Sequence, residues 1–200
     1  ITLNHLTRTK EVQVKVLTLM GSPRHEGNTN ALLRMFEERM SSNHEVERIN
    51  LTNFDVTGCR ACYACRGNTE AHGCVLQDDG IKLLDRIIAA DAVVYATPLY
   101  MWGIAADLRA FMERHLSLVK GYMTPEYKSL VAGKKTALLV TCAGPVDNNA
   151  DLVQTTFDRF AEYASVEVVG KYVQPFCTEP NAFGDEAAAL ADKMAADMSA

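Results

Sequence analysis

The chain has no apolar run near the roughly 20 residues that a membrane-spanning helix needs. It also lacks a basic excess: 20 Lys and Arg stand against 25 Asp and Glu, a net charge of −5. The first absence argues against a membrane protein. The second argues against a nucleic-acid footprint, which needs a basic face. The opening stretch, ITLNHLTRTKEV, has no apolar core of the kind a secretory signal carries, so residues 1–11 read as an N-terminal arm and the protein as cytoplasmic. No repeat, low-complexity tract or linker divides the 200 residues, a length that suits one domain.

What is present is an alternation of strands and helices. VQVKVLTLM (12–20) is rich in β-branched residues and reads as a strand. Leu32, Leu33, Phe36 and Met40 follow at helical spacing. EVERINL (45–51) alternates like a short strand, and Ile81, Leu84 and Ile88 mark a second helix. DAVVYATP (91–98) and KKTALLVTCAG (134–144) are nearly continuous apolar runs, as expected of strands buried on both faces. A helix with Ile104, Leu108, Phe111, Met112 and His115 on one face lies between them, followed by a tyrosine-bearing loop over 117–130. Leu152, Phe157, Phe160 and Ala164 mark a fourth helix, VEVVGKYV (166–173) a fifth strand, and 185–198 a closing helix. This order predicts a three-layer α/β domain, a five-stranded parallel sheet with helices on both faces. Ligands of such sheets bind beyond the C-terminal strand ends. Three unusual loops, GSPRHEGNT, TPLYMWG and TCAGPVDNN, would share that edge.

The first of these loops has the chemistry of an anion cradle. Gly21 and Gly27 let the backbone turn, Ser22 and Thr29 offer hydroxyls, Asn28 an amide and Arg24 a fork of donors. A helix starts near Asn28, bringing unpaired N–H groups and a positive dipole end. No Gly-Lys-Ser/Thr closes the loop and no G-x-G-x-x-G runs through it, so it is neither a Walker A loop nor a dinucleotide fingerprint.

GSPRHEGNT with its leucine-rich helix resembles the FMN phosphate loop of flavodoxin-like NAD(P)H-dependent FMN reductases. TPLYMWGIAADLRAFMER resembles their second signature, with Arg109 where Lys is usual and Glu113 where Asp is usual. VAGKKTALLVT resembles the entry to their fourth strand, so the likeness runs in order along nearly the whole chain. It implies a flavodoxin-like fold with strand order 2-1-3-4-5. It implies FMN held by Ser22, Arg24, Gly27, Asn28 and Thr29 at the phosphate. Pro98, Leu99, Tyr100, Met101, Trp102 and Gly103 would lie along one side of the ring, and Thr141, Cys142, Ala143 and Gly144 along the other.

Six cysteines are many for a chain of this kind, and Cys59, Cys62, Cys65 and Cys74 form a C-x2-C-x2-C-x8-C pattern in the 52–78 stretch. Without a secretory signal, such bunching points to metal or redox chemistry. Close pairs at this spacing aim thiolates at one centre, which suits a [4Fe-4S] cluster or zinc. Iron–sulfur flavoproteins, a branch of the same broad family, carry a compact version with a shorter last gap. Other relatives keep a cysteine-rich loop ending in G-x-C before a DD pair and hold no cluster; HGCVLQDD fits that pattern too. His72 and His25 read as solvated loop residues, His115 as a core or interface residue.

The resulting expectation is an FMN oxidoreductase that takes hydride from NAD(P)H and passes electrons to a flavin, quinone or other small acceptor. It needs no catalytic side chain, because the cofactor carries the chemistry. A homodimer or homotetramer is expected, since FMN on a sheet edge leaves a ring face open. One alternative is an iron–sulfur flavoprotein relaying single electrons between a [4Fe-4S] cluster and FMN, with a ferredoxin-like donor. Another is a cofactor-free binding or scaffold protein of the same fold.

Overall fold

A computed structural model describes residues 13–180 and 183–200; the expected N-terminal arm lies outside them. The strands are β1 (Lys15–Met20), β2 (Glu45–Asn50), β3 (Ala92–Tyr100), β4 (Gly103–Ile104), β5 (Val119–Lys120), β6 (Lys128–Ser129), β7 (Lys135–Thr141) and β8 (Glu167–Gln174). The helices are α1 (Asn28–Met40), α2 (Gly80–Ala89), α3 (Ala106–Arg114), α4 (Asp151–Ala164) and α5 (Asp185–Ser199). The main sheet is parallel in the order β2-β1-β3-β7-β8. This is the expected 2-1-3-4-5 order of the five long strands. The two-residue β4 adds itself antiparallel to the end of β3, and β5 and β6 form a separate small ribbon inside the expected 117–130 loop.

The apolar periodicities decide the layers. Leu32, Leu33, Phe36 and Met40 of α1 and Ala187, Ala191, Met194 and Met198 of α5 bury against one sheet face. Leu83, Leu84 and Ile87 of α2, Leu108 and Phe111 of α3, and Val153 and Phe157 of α4 bury against the other. The central β3 is therefore closed on both faces, which is why it reads as an unbroken apolar run. No helix among the described residues is long and apolar enough to cross a membrane.

Gly21 leaves β1 under α3, where an added Cβ would lie 2.5 Å from the Leu108 Cβ. Its role is close packing of the α3 helix rather than a left-handed turn. Left-handed backbone occurs instead at, among others, Met101 (φ 49°) and Trp102 (φ 58°), the two residues joining β3 to β4. A two-residue hairpin with both residues left-handed is a type I′ turn, which normally takes Asn-Gly. Met and Trp hold it here at a cost in backbone strain.

His115 is a core residue. Its Nδ1 donates to the Phe111 carbonyl (3.1 Å) and its Nε2 accepts from the Tyr95 hydroxyl (3.0 Å). Burial holds the ring well below its ordinary 6.5, at about 4. A neutral buried histidine must take up a proton on unfolding once the pH is below its unfolded pKa. The contribution of His115 to stability is therefore whole above about pH 6.5 and falls as the pH drops towards 4. Urea midpoints measured across this range are expected to decline with acid, and more steeply for the wild type than for His115→Gln. Parallel slopes would remove His115 from the acid response.

Candidate functional site

The C-terminal ends of β1, β3 and β7 meet at one sheet edge, as the parallel register requires: Met20 pairs with Ala96, and Pro98 with Thr141. Beyond these ends lies a cavity of about 330 Å³. Ser22, Arg24, Gly27, Asn28 and Thr29 line it from the first loop, Pro98, Leu99 and Tyr100 from the second, and Thr141, Cys142 and Ala143 from the third. Eleven of the fifteen residues expected at the cofactor thus come together.

The local chemistry favours an anion at the α1 end. The residue before the helix is Gly27, and no side chain caps the first turn, so helix N–H groups and the dipole's positive end are available there. Arg24 adds a cation, with its own N–H bonded to the Ser22 hydroxyl (3.1 Å). Thr29 is buried, and its hydroxyl lies 2.6 Å from that of Thr141, tying the start of α1 to the end of β7. Buried Thr97 accepts from the Ala105 N–H (3.0 Å) and so fixes the return of the hairpin into α3.

Met101, Trp102, Gly103 and Gly144 do not line the cavity. Met101 and Trp102 sit at the tip of the tight β3–β4 turn, which carries them past it; they are 87% and 54% exposed. In their place Cys177, Thr178, Glu179 and Pro180 supply a fourth wall. This strap is held by the Asn28 side chain, which donates to the Glu179 carbonyl (2.9 Å), and by the Cys177 N–H, which donates to the Cys142 carbonyl (2.9 Å). Burial pushes the Cys142 thiol up and the Cys177 thiol up to about 11, so both stay neutral at pH 7.

The cysteine-rich stretch builds a second cavity, of about 560 Å³, that shares no lining residue with the first. All four of Cys59, Cys62, Cys65 and Cys74 line it, with Arg66, Arg114, Tyr122 and Tyr163 among their neighbours. Cys62 sits between two left-handed residues, Ala61 (φ 50°) and Tyr63 (φ 59°). The Ala61 N–H donates to the Cys59 sulfur (3.4 Å). Lys120 is buried and donates to the carbonyls of Cys65 and His72, both at 3.0 Å.

His72 is buried rather than solvated: its Nδ1 accepts from the Cys74 N–H (2.9 Å), and burial lowers its pKa. Arg114 has no exposed side-chain surface. Its Nη1 donates to Asp78 (2.6 Å) and to the Thr57 carbonyl (3.1 Å), and its Nη2 to the Cys74 sulfur (3.2 Å). Burial alone would raise the Asp78 pKa, but hydrogen bonds from Arg114 and Thr57 outweigh it and hold the carboxyl below its usual range. The Arg114 Nε is buried with no hydrogen-bond partner among the described residues. No three His, Cys, Asp or Glu side chains among those residues are arranged around a single metal ion.

Residues 14–174 match the family described as NADPH-dependent FMN reductase. An iron–sulfur flavoprotein of Archaeoglobus fulgidus is 27% identical over 174 residues, covering 86% of this chain and 73% of that one. An iron–sulfur flavoprotein of Methanosarcina thermophila is 30% identical over 106 residues, covering 52% of this chain and 54% of that one. The match thus spans about three quarters of the first relative and about half of the second. Among solved structures, an NAD(P)H:quinone oxidoreductase from Methanothermobacter marburgensis superposes with a TM-score of 0.71 at 17% identity, over 94% of this chain and 98% of that one. That likeness is one of fold.

The Thr29–Thr141 bond makes a prediction about stability. Thr141→Val leaves a buried Thr29 hydroxyl unpaired, for a cost of about 1–3 kcal/mol; Thr29→Val does the converse. The double variant, with neither hydroxyl left alone, is expected to lose less than the sum. Urea unfolding of the four proteins without added cofactor gives the cycle, and strict additivity would mean that the two hydroxyls do not depend on each other.

Proposed function

The chain belongs to the NADPH-dependent FMN reductase family, and from that premise we propose that the cavity at the ends of β1, β3 and β7 is where it holds FMN. The protein is an FMN-dependent oxidoreductase that uses NAD(P)H. The observation that carries the site is the meeting of three strand ends with the uncapped start of α1 in one cavity. In this reading Ser22, Arg24, Asn28 and Thr29 bind the phosphate, where helix N–H groups and a guanidinium favour negative charge. Pro98 to Tyr100 and Thr141 to Ala143 form the walls of a flat slot, and the strap from Cys177 to Pro180 closes one side. FMN held there would supply the hydride chemistry between NAD(P)H and a small electron acceptor such as a flavin or quinone. The chain's task is to position the reactants and keep water out, so no acid or base is assigned to a side chain.

Titration of the cofactor-stripped protein tests this. FMN is expected to bind much more tightly than riboflavin, which lacks the phosphate. Thr29→Ala or Asn28→Ala should weaken FMN by roughly 0.5–3 kcal/mol per lost hydrogen bond and leave riboflavin nearly unchanged. Equal affinity for the two flavins would take the first loop out of the site. A colourless protein that takes up neither would be the cofactor-free scaffold.

A second reading concerns the other cavity: Cys59, Cys62, Cys65 and Cys74 hold a [4Fe-4S] cluster. The residues fit such a group. Four thiols line one cavity, and Lys120, a buried cation bonded only to carbonyls among the described residues, stands beside it. Thiolate ligation brings negative charge that this cation would balance. A single zinc fits less well, because four sulfurs at about 2.3 Å from one ion must crowd together, and the side chains are not so gathered. A cluster supplies one-electron chemistry, and an external ferredoxin-like protein is the matching donor. Anaerobically prepared protein is expected to contain iron and acid-labile sulfide in equal amounts. Cys62→Ser should lose the iron and keep FMN, since the cavities share no residue. Anaerobic protein without iron would leave the reductase reading to stand alone.

A further inference from the structure

We propose that Arg114 is a positioning residue for the sulfur cavity: it holds Cys74 in place as the fourth ligand and donates to its sulfur an N–H bond that makes the bound group easier to reduce. The inference rests on the [4Fe-4S] reading of that cavity and assigns a role to a residue outside the cysteine pattern.

Cys59, Cys62 and Cys65 are placed by their own short loop, with left-handed residues on either side of Cys62. Cys74 is not: eight residues separate it from Cys65. What brings it back is a bond from another element: its sulfur accepts from Arg114 Nη2, while its N–H donates locally to buried His72. Arg114 is in turn immobile. It is the last residue of α3, a helix anchored in the core by Leu108 and Phe111. Asp78 and the Thr57 carbonyl grip its Nη1, so the two ends of the cysteine stretch are tied to one guanidinium. A planar fork with fixed geometry suits this task in a way that a lysine ammonium does not.

Arg114 lines the cavity, and its Nη2 places an N–H on the sulfur of Cys74 while Asp78 and the Thr57 carbonyl engage its Nη1. Hydrogen bonds and positive charge at cluster sulfurs stabilise the reduced, more negative state. Ligand-orienting partners of this kind typically change metal affinity by roughly ten- to a hundredfold when lost.

The test uses the anaerobically purified holoprotein. Arg114→Gln is paired with Asp78→Asn, so that no unpaired carboxylate stays behind. Retained FMN reports that the double variant is folded. Its iron is expected to pass to a chelator roughly ten- to a hundredfold faster than that of the wild type, at a rate close to that of Cys74→Ser. The midpoint potential of its cluster, followed by electron paramagnetic resonance, is expected to fall. Arg114→Lys separates the two roles: it should keep most of the potential and still lose iron faster.

If the double variant fails to fold, Arg114→Lys alone decides, and a chelation rate equal to that of the wild type overturns the proposal. Wild-type chelation rate and potential in a folded double variant also overturn it, while leaving the cluster reading intact. A wild type without iron overturns the cluster reading itself, and this inference with it.

Discussion

A parallel sheet closed on both faces leaves one place for chemistry, and the rest of this molecule follows from that constraint. The side chains of β1, β3 and β7 are buried except at the strand ends. Variation is free only where the strands end. All the strands of the main path run the same way, so their exits share one edge. The buried Thr29–Thr141 pair fastens two of these exits together, and Thr97 fastens the third to the chain that re-enters as α3. The cavity is therefore a consequence of topology, trimmed by two hydroxyl contacts.

This explains what could be read in advance. The apolar runs and helical spacings are local signals, and they carry the strand order with them, because right-handed crossovers leave few alternatives. The glycine, hydroxyl and amide residues between Gly21 and Thr29 were legible as a donor-rich turn at a helix start. The wall from Cys177 to Pro180 had no such signal. It is a stretch of connection between β8 and α5, with no periodicity, and it reaches the site only because its chain must cross back over the sheet edge to join α1's layer. Asn28 meets Glu179 across 151 positions in the sequence, a contact that no local pattern announces.

Two placements differ from expectation for the same physical reason. The family resemblance implied the Met101–Trp102 tip along the ring, and the structure carries it past the cavity. A type I′ turn built from residues that normally avoid it cannot be inferred from composition, and it aims both side chains outwards. His72 was expected in solvent, because its neighbours in sequence are polar. Its neighbours in space are Cys74, Lys120 and Asp85. The cysteine spacing was legible, but the Arg114 fork that holds Cys74 comes from the far end of another helix.

The two cavities share no lining residue, and the central claim is that the strand-end cavity is the flavin's. Hydrogen–deuterium exchange of cofactor-stripped protein, with and without FMN, tests it most directly. The account predicts slower exchange in the segments 21–31, 97–105, 141–145 and 175–180, with the cysteine stretch 57–78 unchanged. Protection confined to 57–78 and 116–124, with residues 21–31 unaffected, would put the flavin in the other cavity and contradict it.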